Sequence, residues 1–313
     1  MSNRKLIREI RDQKYDLIYA NTIASSDVLH DLLQEIDAPL ILHVHELEMA
    51  INLYCDRKKF DLVKNRVNTF IAVSEVVRQN LIANHSIPEE KIALVHEFAV
   101  ACPTLHSDRE TLLRELGIPS NAFVVGGAGT IEWRKGADLF VQVAGRVQSQ
   151  ESYDRPVFFL WIGGHAEEHY LRQIRYDIKT AGLSERVVLP GSKPNPADYF
   201  NLFDLFLLPS REDPFPLVSL ETGQMGKPII CFDKQVGSTE FIDEHCGAVV
   251  PYLGVEAMAE AVLSFYRDPE KLESAGKAII KKTEPFRIEN QGPKILEIIQ
   301  SVYSGFKHLS NTH

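Results

Sequence analysis

Cysteine is scarce and scattered: the four in this 313-residue chain, Cys55, Cys102, Cys231 and Cys246, stand far apart, with no C-x-x-C pair and no histidine at zinc-ligand spacing. A disulfide framework and a thiolate metal site are thereby set aside as organising devices, and a reducing compartment is expected. No apolar run approaches the ~20 residues that span a bilayer, and the opening MSNRKLIREIRDQKYD is charged where a leader would be apolar. Secretion and membrane insertion are not expected; a cytoplasmic protein is. Positive charge is also short. With 34 Lys plus Arg against 43 Asp plus Glu, the formal charge of −9 does not suit a surface that coats nucleic acid or an anionic membrane. Low complexity and internal repeats are absent too.

What the chain does have is core material, 44% hydrophobic residues, arranged with a clear rhythm. Short runs rich in Val, Ile, Leu and Phe, ending in small or polar residues, alternate with longer amphipathic stretches, as in a parallel sheet with crossover helices. The first half holds DLIYAN (16–21), PLILHVH (39–45), TFIAVS (69–74) and KIALVHEF (91–98). The second holds AFVVGGAG (122–129), VFFLWIGG (157–164), RVVLPG (186–191), DLFLLPS (204–210), PIICFD (228–233) and GAVVP (247–251). An α/β chain of two Rossmann-like, doubly wound domains is expected. Their boundaries are read at 1–115 and 116–285. The polar stretch from Ala99 to Asn121, with Pro103 and Pro119 and a helix through TLLRELG, reads as the connection. A final amphipathic helix is read within 286–313, with Pro293 near its start and apolar residues at 295, 296, 298, 299 and 302, packing back towards the first domain.

In such sheets ligands bind beyond the C-terminal ends of strands, and four loops there carry chemistry. The first runs from Pro209 and Ser210 through Arg211, Glu212, Asp213, Pro214, Phe215, Pro216, Leu217 and Val218 to Glu221. A helix start there offers N–H groups and a positive dipole end to an anion, although Asp213 before Pro214 is equally an ordinary N-cap. The second, Gly126 to Gly136, combines small residues for close backbone approach, among them Gly129 and Thr130, with the cations Arg134 and Lys135. That suits a diphosphate, but it is neither a Rossmann G-x-G-x-x-G nor a P-loop. In the third, His43 and His45 fall on one face of a strand end, where a histidine could position a hydroxyl or simply sit satisfied. The fourth, Val236 to Glu240 with Gly237, either offers N–H groups or caps a helix.

Taken in order, DLIYANT, HVHELE, FIAVSEVVRQNL, GAGTIEWRKGADLF, LPGS, FDLFLLPSREDPFPLVSLE, GKPIICFD and GAVVPY resemble the GT-B-fold retaining glycosyltransferases of family 4, from Asp16 to the C-terminus. The resemblance implies transfer of a sugar from a nucleoside diphosphate sugar to an acceptor hydroxyl with the anomeric configuration kept. Asp213 and Glu221 match the spacing of the E-x7-E carboxylates, with Glu212 just before. Asp213 and the backbone from Phe215 to Val218 would hold sugar and diphosphate, and Glu221 the ribose. Lys135 matches the lysine that neutralises the leaving diphosphate. Gly129 stands where the family has an arginine, with Arg134 as a stand-in. Gly191, Ser192 and Lys193 match the loop that reads the base, and His45 a histidine near sugar and acceptor. No cofactor or metal is implied beyond a UDP-, GDP- or ADP-sugar, and the chain has no D-x-D.

The chain departs from the family by reaching DLIYANT at residue 16, so on the order of 80 residues of a usual first domain are missing. The first domain is therefore expected to be incomplete. Its open sheet edge would be met by a homo-oligomer or partner chain, or the chain is a fragment of a longer protein. The leading reading is an enzyme of surface polysaccharide or glycolipid synthesis, with a saccharide or lipid-linked acceptor, in the cytoplasm or peripheral at the inner face of the membrane. The alternatives are a donor-domain protein, weak or inactive in catalysis, that serves as a binding or partner subunit, and another GT-B enzyme such as a nucleotide-sugar epimerase.

Overall fold

A computed structural model describes residues 3–100, 104–150, 154–165 and 167–310; Cys102 and Pro103 lie outside the described residues. All ten apolar runs are strands: β1 Ile18–Ala20, β2 Leu40–Val44, β3 Thr69–Ala72, β4 Ile92–Leu94, β5 Phe123–Ala128, β6 Val157–Ile162, β7 Val187–Gly191, β8 Leu205–Leu208, β9 Ile229–Phe232 and β10 Gly247–Val250. They form two parallel sheets, one ordered β1-β2-β3-β4 and one ordered β10-β9-β8-β5-β6-β7. Helices cover both faces of such sheets, which is why β2, β5, β6, β8 and β9 are buried along their whole length and read as unbroken apolar runs. No helix among the described residues is long and apolar enough to cross a membrane.

The chain divides into two compact units. The first comprises the residues up to Glu97 together with those from Ile288 on. Its last helix, Ile288–Ser310, lays Ile295, Ile298, Ile299 and Val302 against Ile41, Ile71 and Val95, while Leu296 faces outward at 54% exposure. The helix starts ahead of Pro293 rather than at it.

The second unit runs from Phe98 to Arg287, so the boundary lies at Glu97/Phe98, ahead of residue 115 where the sequence suggested it. The reason is a polar latch. Asp198, 3% exposed, accepts from the His106 backbone N–H (2.7 Å) and the Ser107 hydroxyl (3.0 Å), and Arg109 donates to the Asn201 carbonyl (3.0 Å). The helix Arg109–Glu115, capped by Asp108, is thereby part of this unit. Its core centres on Phe140, Phe159 and Trp161, with Phe140 edge-on to both other rings at 5.3 and 5.2 Å.

Candidate active site

The loop after β8 does not start a helix at Asp213. Pro216 disfavours helical backbone at Phe215, so the helix begins only at Leu217 and runs to Gln224 with Pro216 as N-cap. Asp213 instead joins a short parallel bridge to the loop after β9: its N–H donates to the Gln235 carbonyl (2.8 Å), and its carbonyl accepts from the Gly237 N–H (3.0 Å). In the fourth loop Gly237 spends its N–H on the Asp213 carbonyl, and Val236 caps a one-turn 3-10 helix, Gly237–Glu240, rather than an α-helix. Phe215, 4% exposed, anchors the loop against the rings of Phe241 (5.8 Å) and Phe286 (5.2 Å). The anchor leaves the first N–H groups of the helix, at Leu217 and Val218, without intrahelical partners.

Lys135 reaches this loop from the end of β5. Its Nζ lies 2.7 Å from Asp213 Oδ2, which also accepts from the Ser210 hydroxyl (3.1 Å). Both charged ends are shielded, with 17% of the lysine and 5% of the aspartate side chain exposed. Gly129 lies beside the Lys135 stem with a φ of 135°, a backbone conformation that favours glycine. Thr130 beside it is exposed. Arg134 is committed elsewhere, to the Glu212 carbonyl (3.1 Å) and the Glu132 carboxylate (3.0 Å), so it ties the two loops together. A brace the sequence did not announce completes the join. Arg211 grips Asp138 with two nitrogens (2.8 and 2.7 Å) and stacks over Trp133, while Tyr170 donates to Asp138 (3.0 Å). Burial raises the Asp138 carboxyl, and the Arg211 guanidinium outweighs that, holding it below its ordinary value.

Glu221, one turn into the helix, faces a cavity of about 390 Å³ walled by Thr104, His106, Asn195, Pro196 and Phe200. Burial raises its carboxyl, and no hydrogen-bond or ion-pair partner holds it among the described residues. Gly191, in left-handed backbone (φ 81°), Ser192 and Lys193, whose ammonium sits 5.3 Å over Tyr199, lead into this wall, and the residues just after them line it. His106 and Thr104 lacked any local signal, being placed here by the Asp198 latch 92 residues away. A larger hollow of about 460 Å³ along the helix Glu168–Thr180 contains none of the residues singled out from the sequence.

In the first unit, β2 puts His43 and His45 on one face, with ring centroids 4.2 Å apart. His43 is 5% exposed and accepts at Nδ1 from, or donates there to, the Tyr19 hydroxyl (2.7 Å). Burial first, and then the neighbouring His45, push it down to about 4. His45 is held from both sides, Nδ1 by the Glu97 carboxylate and Nε2 by Asn21 Oδ1 at 2.8 Å.

Two strand-end loops are thus joined by a shielded ion pair, with a lone carboxylate one turn into the following helix. Residues 108–282, more than half of the chain, match the family described as glycosyl transferases group 1, and residues 2–98 match glycosyltransferase family 4. The chain belongs to the group 1 glycosyltransferases. This glycosyltransferase is 28% identical over 221 residues to the alpha-galactosylglucosyldiacylglycerol synthase of Streptococcus pneumoniae, covering 67% of the chain and 54% of that relative. It is 26% identical over 203 residues to the lipopolysaccharide core biosynthesis mannosyltransferase LpsB of Rhizobium meliloti, covering 62% and 56%. The chain thus spans about half the length of these curated relatives. Among solved structures, Anabaena HepE in complex with UDP and glucose superposes with a TM-score of 0.84 at 21% identity, covering 96% of this chain and 81% of that one. Sucrose-phosphate synthase from Thermosynechococcus elongatus gives 0.79 at 19%, covering 96% and 78%. These likenesses assign the GT-B fold.

Proposed function

We propose that this glycosyltransferase moves a hexosyl group from a nucleoside diphosphate sugar to an acceptor hydroxyl, keeping the anomeric configuration and using no metal ion. The observation that carries the reading is the division of labour between two carboxylates eight residues apart: Asp213 is paired with Lys135, while Glu221 stands unpaired in a cavity wall. Asp213 holds the sugar, Lys135 and the helix start at Leu217 hold the diphosphate, and Glu221 accepts from the ribose hydroxyls. As the bond from the anomeric carbon to the diphosphate breaks, Lys135 balances the charge that develops on the leaving oxygen. The acceptor oxygen bonds to the same face of that carbon, and its proton passes to the departing diphosphate. No protein nucleophile is required.

The donor is a UDP-, GDP- or ADP-sugar, and the uridine complex of the Anabaena fold neighbour puts UDP first in order of trial. Relatives named for a glycosyldiacylglycerol and for lipopolysaccharide core favour a lipid-linked or saccharide acceptor, met at the cytoplasmic face of a membrane.

The test is thermal stabilisation by UDP, GDP and ADP, alone and with their common sugars, on the wild type and on Lys135→Ala and Glu221→Ala. A nucleotide at one hundred times its dissociation constant stabilises the folded state by about 2.7 kcal/mol. One nucleotide that raises the wild-type melting temperature and has no effect on either variant supports the reading. A panel in which nothing binds sinks it.

A further inference from the structure

The setting of His45 assigns a residue that no motif pointed to. Three chain segments meet at this ring: Asn21 just beyond β1, His43 on β2, and Glu97 beyond the end of β4. The backbone at His45 is fixed, because its N–H donates to Glu46 Oε2 (2.9 Å), and Glu46 in turn accepts from the Thr22 hydroxyl and the Ile23 N–H (3.2 Å). His43, locked by Tyr19, packs against one side of the ring. What remains is which nitrogen carries the proton. An ionised carboxylate has no donor, so the Glu97 contact places the proton on Nδ1 and leaves Nε2 as the nitrogen that meets a ligand. Asn21 occupies Nε2 here, and an amide can turn either its oxygen or its nitrogen to the ring, so it holds the position without dictating the proton. With 27% of the histidine and 18% of the glutamate side chain exposed, the pair is shielded enough for orientation to matter.

We propose that Glu97 is a positioning residue for His45: it fixes the ring plane and the Nδ1–H tautomer so that Nε2 is presented to the acceptor hydroxyl, which displaces Asn21. The inference rests on the reading of His45 as a contact of the acceptor side, and its test separates the two. Glu97→Gln keeps the volume but can donate as well as accept, and Glu97→Asp keeps the carboxylate.

The first readout needs no turnover. Long-range ¹H–¹⁵N spectra of histidine-labelled full-length chain, assigned with His45→Ala, are expected to show His45 protonated at Nδ1 in the wild type and in Glu97→Asp, and a changed nitrogen pattern in Glu97→Gln. An unchanged pattern in Glu97→Gln overturns the proposal. The second is kinetic. Glu97→Gln is expected to lower kcat at least tenfold with the donor KM within twofold of wild type, Glu97→Asp to recover part of the loss, and His45→Ala/Glu97→Gln to match His45→Ala alone. Additive losses in the double variant, or a loss confined to donor KM, overturn it. If the wild type itself shows no turnover, the functional reading fails, and the nitrogen spectra still decide whether Glu97 sets the ring.

Discussion

Lys135 Nζ and Asp213 Oδ2 lie 2.7 Å apart although 78 residues separate them in sequence. Joining the loops after β5 and β8 through a shielded ion pair settles the orientation of the lysine charge in advance, as its proposed role at a leaving diphosphate demands. Removing one partner alone strands the other. Lys135→Ala leaves a nearly buried carboxylate with the Ser210 hydroxyl, and a loss of about 3–5 kcal/mol is expected. The double variant Lys135→Ala/Asp213→Asn leaves no charge behind and should regain part of that loss in denaturant melts. Turnover should fall roughly 10²–10³-fold in Lys135→Ala, in line with the removal of one preorganised charge-stabilising donor.

Glu221 predicts opposite signs for stability and for binding. Its carboxyl is raised by burial and has no partner, so ionisation at neutral pH costs the folded state stability: the penalty is absent below its unfolded value and present above its folded one. Glu221→Gln should therefore melt at the wild-type temperature or higher without nucleotide. Losing the charged acceptor for ribose should at the same time weaken nucleotide binding about 10–100-fold, measured by calorimetry. A variant that melts lower and binds normally would show Glu221 to be a structural residue.

How much of this was legible in the sequence depended on the range of the interaction. The ten strands were, because apolar runs buried on both faces leave a local trace, and PLILHVH even fixed which face His43 and His45 share. The carboxylates at 213 and 221 were singled out by the family's motif spacing, which runs from the loop after β8 into the helix Leu217–Gln224. Asp213 as N-cap was not right, because its backbone pairs with Gln235 and Gly237 in another loop, a non-local hydrogen bond that outweighs local capping preference. His106 in the Glu221 cavity and Glu97 on His45 left no trace at all, since each is delivered by a fold-level contact rather than by a repeat or a motif.

Two neighbours in the loop after β9 should respond differently. A β-carbon on Gly237 would lie 2.0 Å from the Pro214 carbonyl oxygen, a backbone atom that cannot step aside without moving the loop after β8. Gly237→Ala is expected to destabilise by about 1–3 kcal/mol and to weaken nucleotide binding as well. Ser238, fully buried with an unpartnered hydroxyl, is expected to tolerate alanine with no loss of stability. Paired denaturation curves of the two variants check both, and a silent Gly237→Ala would mean that the two loops do not press on one another.

His43 makes the first unit acid-sensitive in a defined window. It is held neutral by burial, with Nδ1 on the Tyr19 hydroxyl, Nε2 buried without a partner, and His45 and Glu97 the nearby titratable groups. Its folded value of about 4 lies below the ordinary 6.5, so between those values the unfolded chain binds the proton and the folded chain does not. Stability therefore rises with pH across the window and is lost as pH falls through it, by about 3 kcal/mol in all. His43→Asn keeps a partner for Tyr19 and cannot titrate, so the wild-type minus variant difference should shrink by that amount from pH 6.5 to 4. The chain's two tryptophans, Trp133 and Trp161, both belong to the second unit, so a probe inside the first unit is the one to use for this change. Hydrogen exchange at the β2 amides reads it directly, and a difference independent of pH would show that His43 does not titrate between folded and unfolded states as its burial demands.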